Sequence, residues 1–297
     1  MTARPDILCI GAVLWDIVGR SPAHLTMGSD VPGRITRLPG GVAMNIAVTL
    51  ARFGMRPGLL AAIGRDAEGE ALVSACGSLG LITDHIYRSD DLPTDRYMAV
   101  EGANGLVAAI ADAHSLEAAG AKILRPLSDG SLGSSARPWN GPVALDGNLT
   151  QALLAEIAGS GLFAAADLRI APASPGKAER LLPLLPVANA TIYVNREEAE
   201  LICQRTFGDA RAAAEGLLAR GTARMLVTDG GRSTADGSVD GVLTAEPPPV
   251  LVTRVTGAGD AFMAAHIAAE TRGESRADAL QSALEAAAHH VSGDIGS

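Results

Sequence analysis

At 297 residues, with 47% hydrophobic and 19% charged side chains, the chain is long enough to bury a large core and has no disordered or collagen-like composition. A net charge of −9 argues against a nucleic-acid partner, because phosphate neutralisation needs clustered Lys and Arg. Three widely spaced cysteines, Cys9, Cys76 and Cys203, read as reduced core thiols, neither a disulfide frame nor a zinc site.

The first segment, MTARPDILCIGAVLWDIVG, has no long apolar stretch closed by a cleavage site and reads as a first β-strand ending in Asp16. No run of about 18 apolar residues occurs, so no membrane partner and a cytoplasmic location are expected. Residues 17–38 are rich in Pro, Gly and Ser and have no helical period. VAMNIAVTLARFG and EGEALVSACGSLG then read as helices on either side of the strand GLLAAIG. Residues 94–111 read as a hairpin around Gly102-Ala103-Asn104-Gly105, either a layer closing over a site or an ordinary surface hairpin.

The second half repeats the alternation. PVALDG, LFAAADL, TIYVN and ARMLVTDG are expected strands, and TQALLAEIAG, GKAERLLPLL and GDARAAAEGLLARG expected helices. Continuous apolar strands followed by amphipathic helices predict a doubly wound, mostly parallel α/β sheet with helices on both faces. The expected organisation is one domain over residues 1–297, interrupted at 17–38 and 94–111. Near the end, PPVLVTR is expected as a strand leading into the helix GAGDAFMAAHIAAETRG. A last helix, SRADALQSALEAAAHHVSG, opens at Ser275 with Asp278 three residues on, a capping-box-like start. His289 and His290 read as solvated residues favoured by the dipole of its carboxyl end, not as metal ligands.

The glycine-rich stretches invite a nucleotide hypothesis. A P-loop is excluded: of the two lysines, Lys122 follows Ala121, while Lys177 follows Gly176 but precedes Ala178, with Ala171 where the first glycine belongs. A dinucleotide fingerprint fails because Phe262 occupies the third glycine position after Gly257 and Gly259. What GAGD does provide is a helix start whose backbone N–H groups and dipole suit an anion without any lysine. Asp260 in that first turn is either a capping acid or the base that takes the proton of an attacking hydroxyl.

TGAGDAFMAA resembles the carboxyl-terminal signature of the ribokinase-like (PfkB) family of sugar and nucleoside kinases, and GGVAMNIAVTLARFG at 40–54 resembles its amino-terminal signature. Asp16, IGRDAEG at 63–69, NREE at 195–198 and TDGG at 228–231 follow in the family's order, so the resemblance spans nearly the whole chain. It implies an ATP-dependent kinase with the ribokinase-like fold and a small β-lid formed by the two interrupting segments. By the same resemblance, Asp260 would be the base and the N–H groups of Gly257, Ala258 and Gly259 the anion hole. Asp16, Gly41 and Asn45 would bind sugar hydroxyls. Asn195 and Glu198 would organise the water shell of Mg²⁺, although NREE is equally the acidic first turn of a helix with Asn195 as N-cap. Thr228 and Gly230 would lie along ATP.

RYMAVEGANGLVAAIADAHSLE, RVTGAGD and Asp146-Gly147-Asn148-Leu149 resemble segments of pseudouridine kinases, pointing to a ribosyl nucleoside phosphorylated on its primary hydroxyl. The alternatives are a ribokinase, a fructokinase, an adenosine-kinase-like enzyme, or a nucleoside-binding sensor that has lost chemistry. Scarce aromatics, with Trp15 and Tyr97 among the few platforms, argue against a stacked purine. Where cation-stimulated relatives carry an acid beside the anion hole, this chain has Arg254. The expectation is that the guanidinium replaces the ion and K⁺ is not required; the alternative is an arginine facing solvent or pairing with a nearby acid. Some relatives dimerise through the lid sheet, which leaves a homodimer open here.

Overall fold

The computed structural model describes residues 4–253 and 255–293; Arg254 lies outside them. The chain enters through β1 (Ile7–Ile10), every residue of which is buried. Six parallel strands form the body of the main sheet: β1, β4 (Pro57–Leu60), β9 (Pro142–Asp146), β10 (Asp167–Ala171), β11 (Ala190–Asn195) and β12 (Arg224–Thr228). An antiparallel pair, β13 (Thr234–Ser238) and β14 (Gly241–Ala245), extends it, giving the order β14-β13-β12-β11-β10-β9-β1-β4. Short strands β5 (Ala62–Gly64) and β6 (Tyr87–Ser89) pair separately.

Successive side chains of a strand point to opposite faces, and here both faces are apolar. Leu8 and Ile10 pack in one cluster with Val143, Leu145, Ile170 and Ile192. Helices α4 (Gln151–Gly159), α5 (Arg196–Cys203) and α6 (Ala210–Ala219) cover that side. Ile7 and Cys9 pack in the other cluster, against α1 (Val42–Arg52), α2 (Ala67–Ser78), α7 (Ala258–Thr271) and α8 (Arg276–Ser292). The doubly wound expectation therefore holds. Cys9 and Cys76 are buried free thiols and Cys203 is half-buried.

A second sheet stands apart, in the order β3-β2-β7-β8. Its strands are β2 (Leu14–Arg20), β3 (Arg34–Gly40), β7 (Arg96–Gly102) and β8 (Gly105–Asp112), the last followed by the short helix α3 (His114–Ala119). The expected turn between Gly102 and Gly105 is present, with Gly105 at φ 88°. Asp16 does not end the first strand as expected. β1 stops at Ile10, and Asp16 lies within β2 of the second sheet.

Other differences have local causes. LFAAADL begins with a short 3₁₀ turn at Gly161–Phe163, so the strand starts only at Asp167. GKAERLLPLL is 3₁₀ instead of α-helical, with Pro183 inside it removing a donor. The described part of PPVLVTR, residues 248–253, is not a strand; Pro247, Pro248 and Pro249 supply no N–H for a ladder. α7 is held to the sheet by polar as well as apolar contacts. Tyr193 shares a 2.8 Å hydrogen bond with His266 Nδ1, and Glu270 pairs with Arg169 and, at 2.6 Å, with Arg224.

Candidate active site

The carboxyl ends of the parallel strands bring the motif residues together, the usual place for ligands in an open α/β sheet. At the end of β1 the chain passes Gly11, where a Cβ would lie 2.2 Å from Asp146 Oδ2. Asp146 closes β9 and is fully buried. Its Oδ2 accepts from the N–H groups of Ala12 (2.8 Å) and Ala43 (3.0 Å), and its Oδ1 from that of Asn148 (2.7 Å). One carboxylate thus ties β9 to the turn leading into β2 and to the first turn of α1. Burial pushes its pKa up, against the pull of those donors.

Gly41 is the N-cap of α1, at φ 97°, and a Cβ there would meet the Ala12 carbonyl oxygen at 2.4 Å. One turn on, Asn45 Nδ2 donates to Asp260 Oδ2 at 2.9 Å, joining α1 and α7 across 215 residues of sequence. Asp16 pairs in register with Leu38 of β3 and Tyr97 of β7. Its carboxylate occupies space left by Gly40, whose Cβ would lie 2.0 Å from Asp16 Oδ2. Burial raises the Asp16 pKa to about 6. Trp15, by contrast, is buried, donates to the Glu68 carbonyl and is covered by the Arg37 guanidinium, so it offers no stacking face.

Asp260 stands in the first turn of α7, only partly open to solvent. Its pKa rises to about 7; burial is the main cause, the Asn45 bond opposes it, and the charges of Asp146, Asp16 and Glu198 add to it. A carboxyl group poised near neutrality is suited to accept a proton. Gly257, the N-cap, takes φ 87°, and its carbonyl accepts from Ala261 at 3.0 Å. Of the three N–H groups expected to face an anion, that of Ala258 closes a turn onto the Val255 carbonyl (3.1 Å).

Asn195 and Glu198 form a reciprocal capping box at the start of α5. The Asn195 side chain accepts from Glu198 N at 2.9 Å, and Glu198 Oε2 accepts from Asn195 N at 2.8 Å. Burial brings the Glu198 pKa to about 7. Thr228 is the register neighbour of Asn195 at the adjoining strand end, and Gly230 follows at φ 61°. Asn45 and Asp260 are hydrogen-bonded, the charge of Asp16 in the second sheet reaches Asp260, and Gly41 stands one turn before Asn45. Asn195, Glu198, Thr228 and Gly230 make a separate group at the ends of β11 and β12.

Sequence reasoning missed the part played by Asp146, whose partners Ala12 and Ala43 are distant in sequence, and set Lys177 aside. Lys177 Nζ donates to Asn148 Oδ1 at 2.5 Å, beside the Asp146 hub, and burial together with Arg180 lowers its pKa. Its rarity, as one of two lysines, was the available signal.

The family description "pfkB family carbohydrate kinase" matches residues 4–293. The chain belongs to the pfkB family of carbohydrate kinases. Among relatives of this pfkB chain, the pseudouridine kinase of Escherichia coli (strain K12) is 28% identical over 269 residues, 89% of this chain and 83% of the relative. A carbohydrate kinase from Agrobacterium tumefaciens superposes with a TM-score of 0.80 at 25% identity, covering 97% of this chain and 91% of that one. The Arabidopsis thaliana ribokinase complexed with ribose and ATP, at 18% identity, shares the fold with a TM-score of 0.74 over 97% of this chain and 93% of its own. Among the described residues, no helix of this pfkB chain is long and apolar enough to cross a membrane.

Proposed function

We propose that the protein is an ATP-dependent kinase that phosphorylates the primary hydroxyl of a ribosyl nucleoside, pseudouridine being the preferred acceptor. The observation that carries the reading is the Asn45–Asp260 hydrogen bond. It sets a carboxyl group with a pKa near 7 at the amino end of α7, in the electrostatic field of Asp16. The similarity to a pseudouridine kinase along most of the chain supports the choice of acceptor.

In this reading Asp16, Asn45 and the Gly41 backbone hold the ribosyl hydroxyls. Asp260 accepts the proton of the attacking hydroxyl, while Asn45 fixes one oxygen and leaves the other to act. The amino end of α7, with Gly257 and Gly259, faces the transferring phosphoryl group, where the helix dipole stabilises developing negative charge. Mg²⁺ suits a site that offers few direct ligands, because it prefers oxygen donors and keeps much of its water. Glu198 fits that role through water, since the capping box engages only its Oε2, while the single side-chain oxygen of Asn195 accepts from Glu198 N and positions that carboxylate. Thr228 and Gly230 would border ATP. Transfer is in line between the two substrates, with no phosphoenzyme.

The second sheet serves as a lid, and we place a homodimer contact on it. Ile35, Met98, Val100 and Ile110 are exposed and share the face opposite Asp16, an apolar surface suited to a second copy of the same sheet. Activity is expected not to require K⁺.

The test is phosphorylation and thermal shift with MgATP over pseudouridine, uridine, adenosine, ribose and fructose, with and without K⁺. The expected result is highest kcat/KM with pseudouridine and no K⁺ activation. Preference for ribose, fructose or adenosine would reassign the acceptor. Binding without turnover on every acceptor would mark a sensor.

A further inference from the structure

The last turn of α8 is built onto the back of the loop that starts α7. Thr253 donates its backbone N–H and its hydroxyl to the Val291 carbonyl, at 2.8 and 3.1 Å. His290 Nε2 lies 2.9 Å from the Thr256 carbonyl oxygen. Two glycines permit this approach. A Cβ on Gly257 would stand 3.0 Å from His290 Nε2, and one on Gly293 would stand 2.6 Å from Thr253 Oγ1. His290 is therefore only partly exposed, contrary to the expectation of a solvated helix end. Its partner is a carbonyl, which can only accept, so Nε2 carries the proton.

The Thr256 carbonyl and the Gly257 N–H belong to one peptide group, and no cis peptide occurs among the described residues. In a planar trans peptide these two bonds point in opposite directions. Holding the carbonyl toward α8 turns the Gly257 N–H the other way. A donor on the carbonyl also polarises the amide, strengthening its N–H as a donor.

We infer that His290 is a positioning residue for phosphoryl transfer: its bond to the Thr256 carbonyl fixes and polarises the peptide whose N–H, at Gly257, faces the transferring group. The inference rests on the proposed role of the α7 amino end as the phosphate cradle. It adds a side chain of α8, 30 residues beyond the base in sequence, to the working parts of the site.

Two variants separate donor from bulk: H290F keeps a ring and removes the donor, and H290Q keeps an N–H at the position of Nε2. With MgATP and the preferred acceptor, H290F is expected to lose about ten- to a hundredfold in kcat, as displaced or weakened oxyanion donors do. The nucleoside KM should stay within about twofold and H290Q within about threefold of wild-type kcat, since neither change touches the acceptor site. Amide exchange over residues 256–260 should accelerate in H290F and not in H290Q, a readout that does not depend on turnover. Equal kcat and exchange in H290F and wild type would overturn the inference. Equal impairment of both variants with a shared drop in melting temperature would make His290 a packing residue and also overturn it. Failure of the kinase reading is a separate result, seen as an inactive wild type or an unimpaired D260N.

Discussion

D260N exchanges the carboxyl group of Asp260 for an amide of the same shape, keeping an oxygen for Asn45 to donate to while removing the proton acceptor. General-base assistance contributes about 10²–10⁴-fold, so kcat is expected to fall by about that factor, or about 3–5 kcal/mol of barrier. The same change should act in the opposite direction on the fold. Burial and three neighbouring acids raise the Asp260 pKa from 3.8 to about 7, so the folded state resists ionising it. A group with a raised folded pKa contributes stability that is fully present below its unfolded pKa and lost as pH rises through the folded one. About three pH units at about 1.4 kcal/mol each give an upper bound of about 4 kcal/mol. Asp260 is partly open to water, and screening reduces this to about 1–2 kcal/mol, a few degrees in melting temperature. The ligand-free variant should therefore melt above the wild type at about pH 8, with the gap closing toward about pH 4. Calorimetric binding of nucleoside and an ATP analogue, steady-state turnover and melts across that range measure all three quantities. Turnover within about threefold of wild type would refute the base assignment. A melting difference that does not vary with pH would refute the electrostatic account.

Activity should rise with pH through about 7, because Asp260 must be ionised to act, and Glu198 and Asp16, at about 7 and about 6, titrate beside it. A kcat/KM profile flat from about pH 5 to 8 would contradict this. G40A places a methyl group where Asp16 now sits and should raise the acceptor KM about ten- to a hundredfold, the worth of one charged hydrogen bond, with kcat and melting temperature little changed; steady-state kinetics with a melt decides it. I35E puts a charge on the exposed apolar face of the second sheet, where Ile35 is 80% exposed, and should convert a dimer to monomer in sedimentation; an unchanged mass would remove that face from the interface.

Much of this was legible in the sequence because local signals and tertiary demands agreed. Buried parallel strands are continuous apolar runs, VAMNIAVTLARFG carries a helical period and GAGDAFMAAHIAAETRG is rich in Ala, so α1 and α7 fell where expected. PPVLVTR misled because its valines and leucine suit a strand, while the prolines before them cannot donate to one. Asp16 reads as the end of the first strand because ILCIGAVLW runs without a charge up to it. The break comes at Gly11, and it is imposed by Asp146 from 135 residues away. Partners so distant leave no local trace. His290 was misread for the same reason: its partner, Thr256, lies 34 residues back, across the turn between α7 and α8.

The position of Asp146 bears on how the site is put together. Its Oδ2 grips Ala12, at the junction where the chain leaves the main sheet for the second one, and Ala43, at the foot of the helix that carries Asn45. Asp16 is only four residues beyond that grip but belongs to the second sheet, whereas Asn45 and Asp260 are seated on the main body. Asp146 thus fixes the point where the chain crosses between the two sheets. On the proposed reading, the distance from Asp16 to Asn45 and Asp260 depends on how the second sheet sits over that junction, and the buried carboxylate of Asp146 holds the junction itself in place.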